Sequence, residues 1–215
     1  MQKSLEKKLI NLSKKRQIKT DPSHDFQHIL RVLNLAKKIG GRVGADLDVI
    51  IPAALFHDTI VYRKDHQNSK NETDESAEIT GQILARIAQY PKGKIELVKT
   101  CIRQCSFTKD IIPTILESKV LQDADLLEST GAISIMRTFS SGGQMNRPFY
   151  NTTSPFFTNS EKNFHSGVGL FYRRLLIAEK RMHTKFAKKI AKRRTLFLKK
   201  FLDELRIELK ESRII

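Results

Sequence analysis

The sequence predicts an all-α fold, and three observations carry that expectation. Apolar residues recur at three- and four-residue intervals through most of the chain. No stretch alternates apolar with polar residues, as a half-buried strand would. Helix punctuation falls between the periodic segments: Thr20-Asp21-Pro22-Ser23, Gly40-Gly41, Pro91-Lys92-Gly93. At 215 residues the chain can bury one sizeable core, so a single domain over 1–215 is expected.

Leu5, Leu9 and Leu12 follow an i, i+4, i+7 rule and predict a short first helix. From Asp25 the pattern Phe26, Ile29, Val32, Leu33, Ala36, Ile39 predicts a second helix, stopped by Gly40-Gly41. Asp46 or Asp48 can cap a third, an almost wholly apolar helix ending at His57-Asp58. Pro52 is tolerated only near a first turn, so this helix should start late or kink. Val61 to Asp74 is polar and reads as a loop; Asp74 to Tyr90 and Ile95 to Ser106 carry two further helices. After Pro113 the run Val120-Leu121-Gln122-Asp123-Ala124-Asp125-Leu126-Leu127 sets two aspartates among apolar neighbours, and a helix continues to Arg137. These segments make a core of about residues 18–140. Ser140–Ser160, with Gly142-Gly143 and several aromatics, reads as a lid-like loop, because a connection of about 20 residues inside a compact domain is usually functional or disordered. Helices over 161–213 close the chain, with Phe186, Ile190, Phe197, Phe201 and Leu205 as the apolar stripe of the last.

The formal net charge is +16, and much of the excess lies after residue 180. Such a field favours anionic partners without choosing among nucleotides, nucleic acid and acidic lipid. No segment reaches the roughly 18–20 apolar residues of a membrane span, and the start lacks an apolar leader core; a cytoplasmic protein is expected. Cys101 and Cys105 have neither disulfide context nor zinc-knuckle spacing and read as core or pocket-lining residues.

The chemistry concentrates in residues that an apolar environment should not hold. His57-Asp58 ends a buried-looking helix, His28 shares a face with Val32 and Leu35, and Asp125 is enclosed by apolar residues. A buried carboxylate is costly unless paired. Two imidazoles and two carboxylates suit a divalent cation. A hydrogen-bonded core histidine and a helix C-terminus that welcomes His57 are the alternatives.

The motifs His28-Ile29-Leu30-Arg31-Val32, Phe56-His57-Asp58 and Gln122-Asp123-Ala124-Asp125-Leu126 resemble the H…HD…D signature of the HD-domain metal-dependent phosphohydrolases. Ser23-His24-Asp25-Phe26-Gln27-His28, Gly131–Phe139, Arg147-Pro148 and His183–Lys188 resemble the single-domain bacterial branch, so the likeness spans about residues 18–205. It implies a helical HD-type domain that hydrolyses a phosphate ester or anhydride of a nucleotide or similar phosphorylated metabolite with a metal-activated water. It implies one divalent ion, among Mn, Mg, Fe, Ni and Zn, held by His28, His57, Asp58 and Asp125, with Asp58 also the proton acceptor. His24, Arg31, Lys64, Asp123, Arg137 and Arg147 become the substrate contacts. The chain departs from the branch at Leu126, where an Arg is usual, at Glu128 for Asp, and at Thr59-Ile60 for Ile-Gly. Cys105-Ser106 stands where some relatives place a His-Ser pair for a second metal. The competing expectation is a non-catalytic protein of the same fold that binds nucleotide or RNA through its basic surface.

Overall fold

A computed structural model describes residues 1–16, 25–62, 67–106, 109–156 and 165–214. The chain divides into two compact units, residues 1–125 and 126–215. The described elements are helices and turns, and the expected all-α class is observed.

The first unit is built around its most apolar helix. Helices α1 (Lys3–Arg16), α2 (Phe26–Val43), α3 (Leu47–Phe56), α4 (Glu72–Ala85) and α5 (Ile95–Arg103) follow in order, and α3 packs against the other four. Every residue of α3 from Val49 to Phe56 is buried, as a helix apolar on all sides must be. Each fully buried large side chain there contributes roughly 1.5–3 kcal/mol. Helix α1 lays Leu5 and Leu9 inward, and the buried Ser13 hydroxyl donates to the Leu55 carbonyl at 2.6 Å. Helix α4 starts with Glu72, Asp74 and Glu75 in its first turn, where acidic groups suit the helix dipole.

The expected end of α2 is corrected, and of the two alternatives for α3 the late start is not observed. Gly40-Gly41 does not stop α2, which runs to Val43 and ends at Gly44 with φ 74°. Gly40 instead serves close packing: a Cβ there would lie 2.7 Å from Ile50 Cδ1. Nor does α3 start late. It begins at Leu47, capped by Asp46, and carries Pro52 in its interior. Proline leaves the carbonyl four residues earlier without its helical donor. That carbonyl, on Asp48, accepts from the Tyr90 hydroxyl at 2.9 Å.

Helix α6 (Leu116–Leu127) ends the first unit at Asp125 and supplies the first residues of the second. Within the first unit, Gln122 Nε2 donates to the carbonyls of Gln104 and Ile111 at 3.0 and 3.1 Å, tying down the connection from α5.

The second unit holds α7 (Gly131–Gln144), the short α8 (Gly167–Leu170), a π turn at Phe171–Leu175, a 3-10 turn at Ala178–Arg181 and the long α9 (Lys185–Glu211). Val168, Phe171, Leu175, Leu198 and Leu202 form its core, with Phe139, Tyr150, Phe156 and Phe201 packed around them. The expected loop from Ser140 is shortened, because α7 continues to Gln144. Before α9, the expected C-terminal helices are replaced over 167–181 by the short α8 and the two turns. The apolar stripe of α9 also shifts by one position. Ala187, Ala191, Thr195, Leu198, Leu202 and Leu209 are buried, while Phe197 is 47% exposed. Small residues let the helix approach closely, and Phe201 flanks that contact, stacked on Phe171 with ring centroids 5.5 Å apart.

Candidate metal centre

The site forms in the first unit where α2 begins, α3 ends and α6 passes its third turn. Asp25 caps α2 by accepting from the His28 backbone N–H at 2.9 Å, which fixes the first turn and buries the His28 ring completely. His57 follows the last residue of α3 and is 2% exposed. Its Nδ1 lies 2.9 Å from the Ala54 carbonyl. A carbonyl only accepts, so Nδ1 carries the proton and Nε2 presents a lone pair. That buried Nε2 makes no hydrogen bond among the described residues.

The carboxylates meet the two imidazoles at one point. His28 Nε2 lies 3.4 Å from Asp58 Oδ2 and 3.6 Å from Asp125 Oδ1. His57 Nε2 lies 3.5 and 3.8 Å from the same oxygens. These separations exceed a charged N–H···O bond of about 2.7–2.9 Å. Each is near the roughly 3.4 Å that separates neighbouring donors set about 2.1 Å from a metal ion. The donor atoms of His28, His57 and Asp125 lie within 4.8 Å of one another and could hold a metal ion. The residues present therefore fit the group, on both distance and donor chemistry. The two carboxylate side chains keep about a quarter exposure, 24% for Asp58 and 27% for Asp125, so one side of the cluster opens to solvent.

The loop after Asp58 is held by α4. The Ile60 amide donates to Ser76 Oγ at 3.0 Å, the Tyr62 amide to Glu72 Oε1 at 2.6 Å, and the Tyr62 hydroxyl to Glu75 Oε2 at 2.7 Å. Sequence reasoning missed Ser76, Glu72 and Glu75, because a surface-like Ser and Glu in a first helical turn carry no sign of what they fasten. Cys105, expected as a core or pocket-lining residue, is buried and feels the site's charges. Burial first, then the Asp125 and Asp58 carboxylates, push the Cys105 thiol well above its ordinary range, so it stays neutral beside the site.

The remaining sequence candidates divide by place. Arg31, one turn after His28, is partly buried on α2, and Asp123 is wholly buried on α6. Arg137 on α7 and Arg147 just beyond it belong to the second unit and are partly buried there. His24 and Lys64 lie outside the described residues. At the first departure from the family pattern, Leu126 is 2% exposed and Glu128 1%. Arg194, held below its ordinary pKa by burial with Glu128 opposing, donates to the Leu127 carbonyl at 2.9 Å.

The HD-domain family matches residues 25–130 of this chain. YpgQ of Bacillus subtilis is 27% identical over 202 residues, covering 87% of this chain and 86% of YpgQ. The crystal structure of YpgQ in complex with ADP superposes with a TM-score of 0.72 at 25% identity, over 95% of each chain. An HD-superfamily hydrolase of Bacillus thuringiensis gives 0.71 at 26% identity, over 96% of this chain and 97% of that one. A Listeria innocua protein gives 0.72 at 29%, over 98% of each. No described helix is long and apolar enough to cross a membrane.

Proposed function

This chain belongs to the HD-domain superfamily, and from that premise we propose that it is a metal-dependent phosphohydrolase acting on a nucleotide or a similar small phosphorylated metabolite. The observation that carries the reading is the meeting of the His28 and His57 Nε2 atoms with Asp58 Oδ2 and Asp125 Oδ1 at 3.4–3.8 Å. In this reading His28, His57, Asp58 and Asp125 hold one divalent ion. Bound there, such an ion would supply Lewis acidity, lowering the pKa of water toward about 7 and stabilising charge on phosphoryl oxygen. The Ala54 carbonyl keeps His57 Nε2 in its donating tautomer. Asp58, partly open to solvent, accepts the proton released by the attacking water. Arg31 meets the substrate phosphate from the turn beside His28, with His24 and Lys64 as further phosphate contacts. A guanidinium placed so neutralises charge that develops on the transferring group. The complex of YpgQ with ADP supports a nucleotide as the substrate class.

The test is phosphate release from a panel of nucleotides and phosphate esters with Mn²⁺, Mg²⁺, Fe²⁺, Ni²⁺ or Zn²⁺, run beside Asp125→Asn. The expected result is hydrolysis of at least one nucleotide by the native chain and none by the variant. Metal bound without hydrolysis of any compound would transfer the support to the non-catalytic reading, which Leu126 in place of the branch's cation favours.

A further inference from the structure

Between Glu179 and Asp203 the chain carries ten Lys and Arg and no Asp or Glu. Most of this stretch is the first half of α9. Lys185, Lys188, Lys189, Lys192, Lys199 and Lys200 are all exposed. Successive offsets of three, four and seven residues put them along one side of the helix. At 1.5 Å per residue the row is about 22 Å long. None of the six forms an ion pair among the described residues, whereas Arg206, further along the same helix, pairs with Asp203 at 3.4 Å. Lys99, on α5 and only 15% exposed, reaches both Glu78 and Glu96 at 3.0 Å. The row on α9 is a cationic strip with no internal counter-charge.

Two exposed apolar side chains interrupt the strip, Leu196 at 53% and Phe197 at 47%. Phe197 has Arg193 four residues before it and Lys200 three after, so its ring is flanked by cations on its own helix. The opposite face of α9 is already committed to the core of its unit through Ala187, Ala191, Leu198 and Leu202. A helix that binds a membrane surface needs its apolar face free to insert. This one has spent that face and offers charge with a single exposed ring.

We propose that the outer face of α9 is a binding surface for single-stranded nucleic acid, with the lysine strip following the phosphate backbone and Phe197 stacking on a base. The chemistry is that of sequence-tolerant strand binding: cations along a backbone path and an aromatic platform beside it. This activity is separate from hydrolysis at His57-Asp58 and involves none of the residues assigned to it.

The experiment is fluorescence anisotropy of the full chain with a fluorescein-labelled 20-nucleotide oligo(dT). Saturable binding at 50 mM salt is expected. With about four phosphates neutralised, affinity should fall about 50-fold between 50 and 200 mM salt. The triple variant Lys188→Glu/Lys192→Glu/Lys199→Glu should bind at least tenfold more weakly with an unchanged circular dichroism spectrum and unchanged phosphohydrolase rate. Phe197→Ala should lose roughly fivefold or more. Absence of binding at 50 mM, equal affinity of the triple variant, or equal affinity of Phe197→Ala would each overturn the proposal. So would binding to phosphatidylserine vesicles with none to the oligonucleotide, which would reassign the strip to lipid.

Discussion

Helix α3 has a cluster of carboxylates at each end, and the two clusters are satisfied in opposite ways. At its start, Lys94 Nζ lies 2.7 Å from Asp46 and 2.8 Å from Asp48, and the Met1 ammonium lies 2.9 Å from Asp48. At its end, Asp58 and Asp125 face two imidazole nitrogens at 3.4–3.8 Å. The first set of distances is that of ion pairs already closed. The second is too long for hydrogen bonds and right for donors around a shared ion. The side chains differ in kind as well: an ammonium can only donate protons to a carboxylate, whereas an imidazole nitrogen can also ligate a metal ion. Carboxylates beside lysine need nothing further. Carboxylates beside imidazole Nε2 atoms form a donor set that could hold a cation.

The largest effects are therefore expected at the far end of α3. Asp58→Ala or Asp125→Ala should lower hydrolysis by about 10³ or more, since the ion is worth several kcal/mol to such a reaction. Elemental analysis of the same variants should show the metal lost while circular dichroism stays native. Full metal content and undiminished rate in either variant would remove the distinction between the two clusters. Thermal unfolding gives a second view. An ion present at 100 times its dissociation constant should stabilise the native protein by about 2.7 kcal/mol, and chelator should reverse the gain. Asp125→Ala should show no such response, and Lys94→Met should show all of it.

How much of this was legible in the sequence follows the same division. The helical class could be named, and His28, His57 and Asp125, which the structure brings together, could be singled out, because a His or Asp inside an apolar run is conspicuous when burial makes an unsatisfied charge costly. Their convergence could not be derived from spacing, since His28, His57 and Asp125 are far apart in the chain; a family likeness had to supply it. The supports were silent. Tyr90 looked like the end of an apolar pattern, yet it donates to the carbonyl that Pro52 leaves open. Gly40 looked like a stop and is a packing site. The stripe of α9 was displaced because large aromatics attracted the reading, while the buried positions are the small Ala187 and Ala191. Periodicity reports where apolar volume recurs, and close approach is made by residues that contribute little of it.

The Pro52–Tyr90 pairing predicts an intermediate effect that belongs to the helix itself. Tyr90→Phe leaves the Asp48 carbonyl without its 2.9 Å donor, and since that bond is part-buried the loss should be about 1 kcal/mol, the lower end for a stranded acceptor. Replacing Pro52 by Ala restores a backbone N–H that can reach the same carbonyl. In that background Tyr90→Phe should cost measurably less, and a denaturant-melt double-mutant cycle reads the difference. Strictly additive losses would show that the hydroxyl and the missing amide do not serve one acceptor.

The smallest effect is expected at the start of α3, where the charges are partly exposed. Lys94 has 31% side-chain exposure and Asp48 29%, so each pair should be worth only about 0.2–1 kcal/mol. Lys94→Met should lower stability by about that amount, and less in high salt. Its pH dependence follows from the direction of each shift. Lys94, hydrogen-bonded first by Asp46 and then by Asp48, is raised above 10.5, so its contribution is complete below that value and fades as pH rises through the folded pKa. Asp48, hydrogen-bonded first by Lys94, is lowered below 3.8, so its contribution is complete above that value and fades as pH falls through the folded pKa. The gap between native and Lys94→Met unfolding free energies should thus be flat across neutral pH and narrow toward both extremes. A gap that instead changed near pH 6–7 and still did so with the Met1 ammonium acetylated would mean that a histidine is coupled to this end of the helix, and the two ends of α3 would no longer be independent.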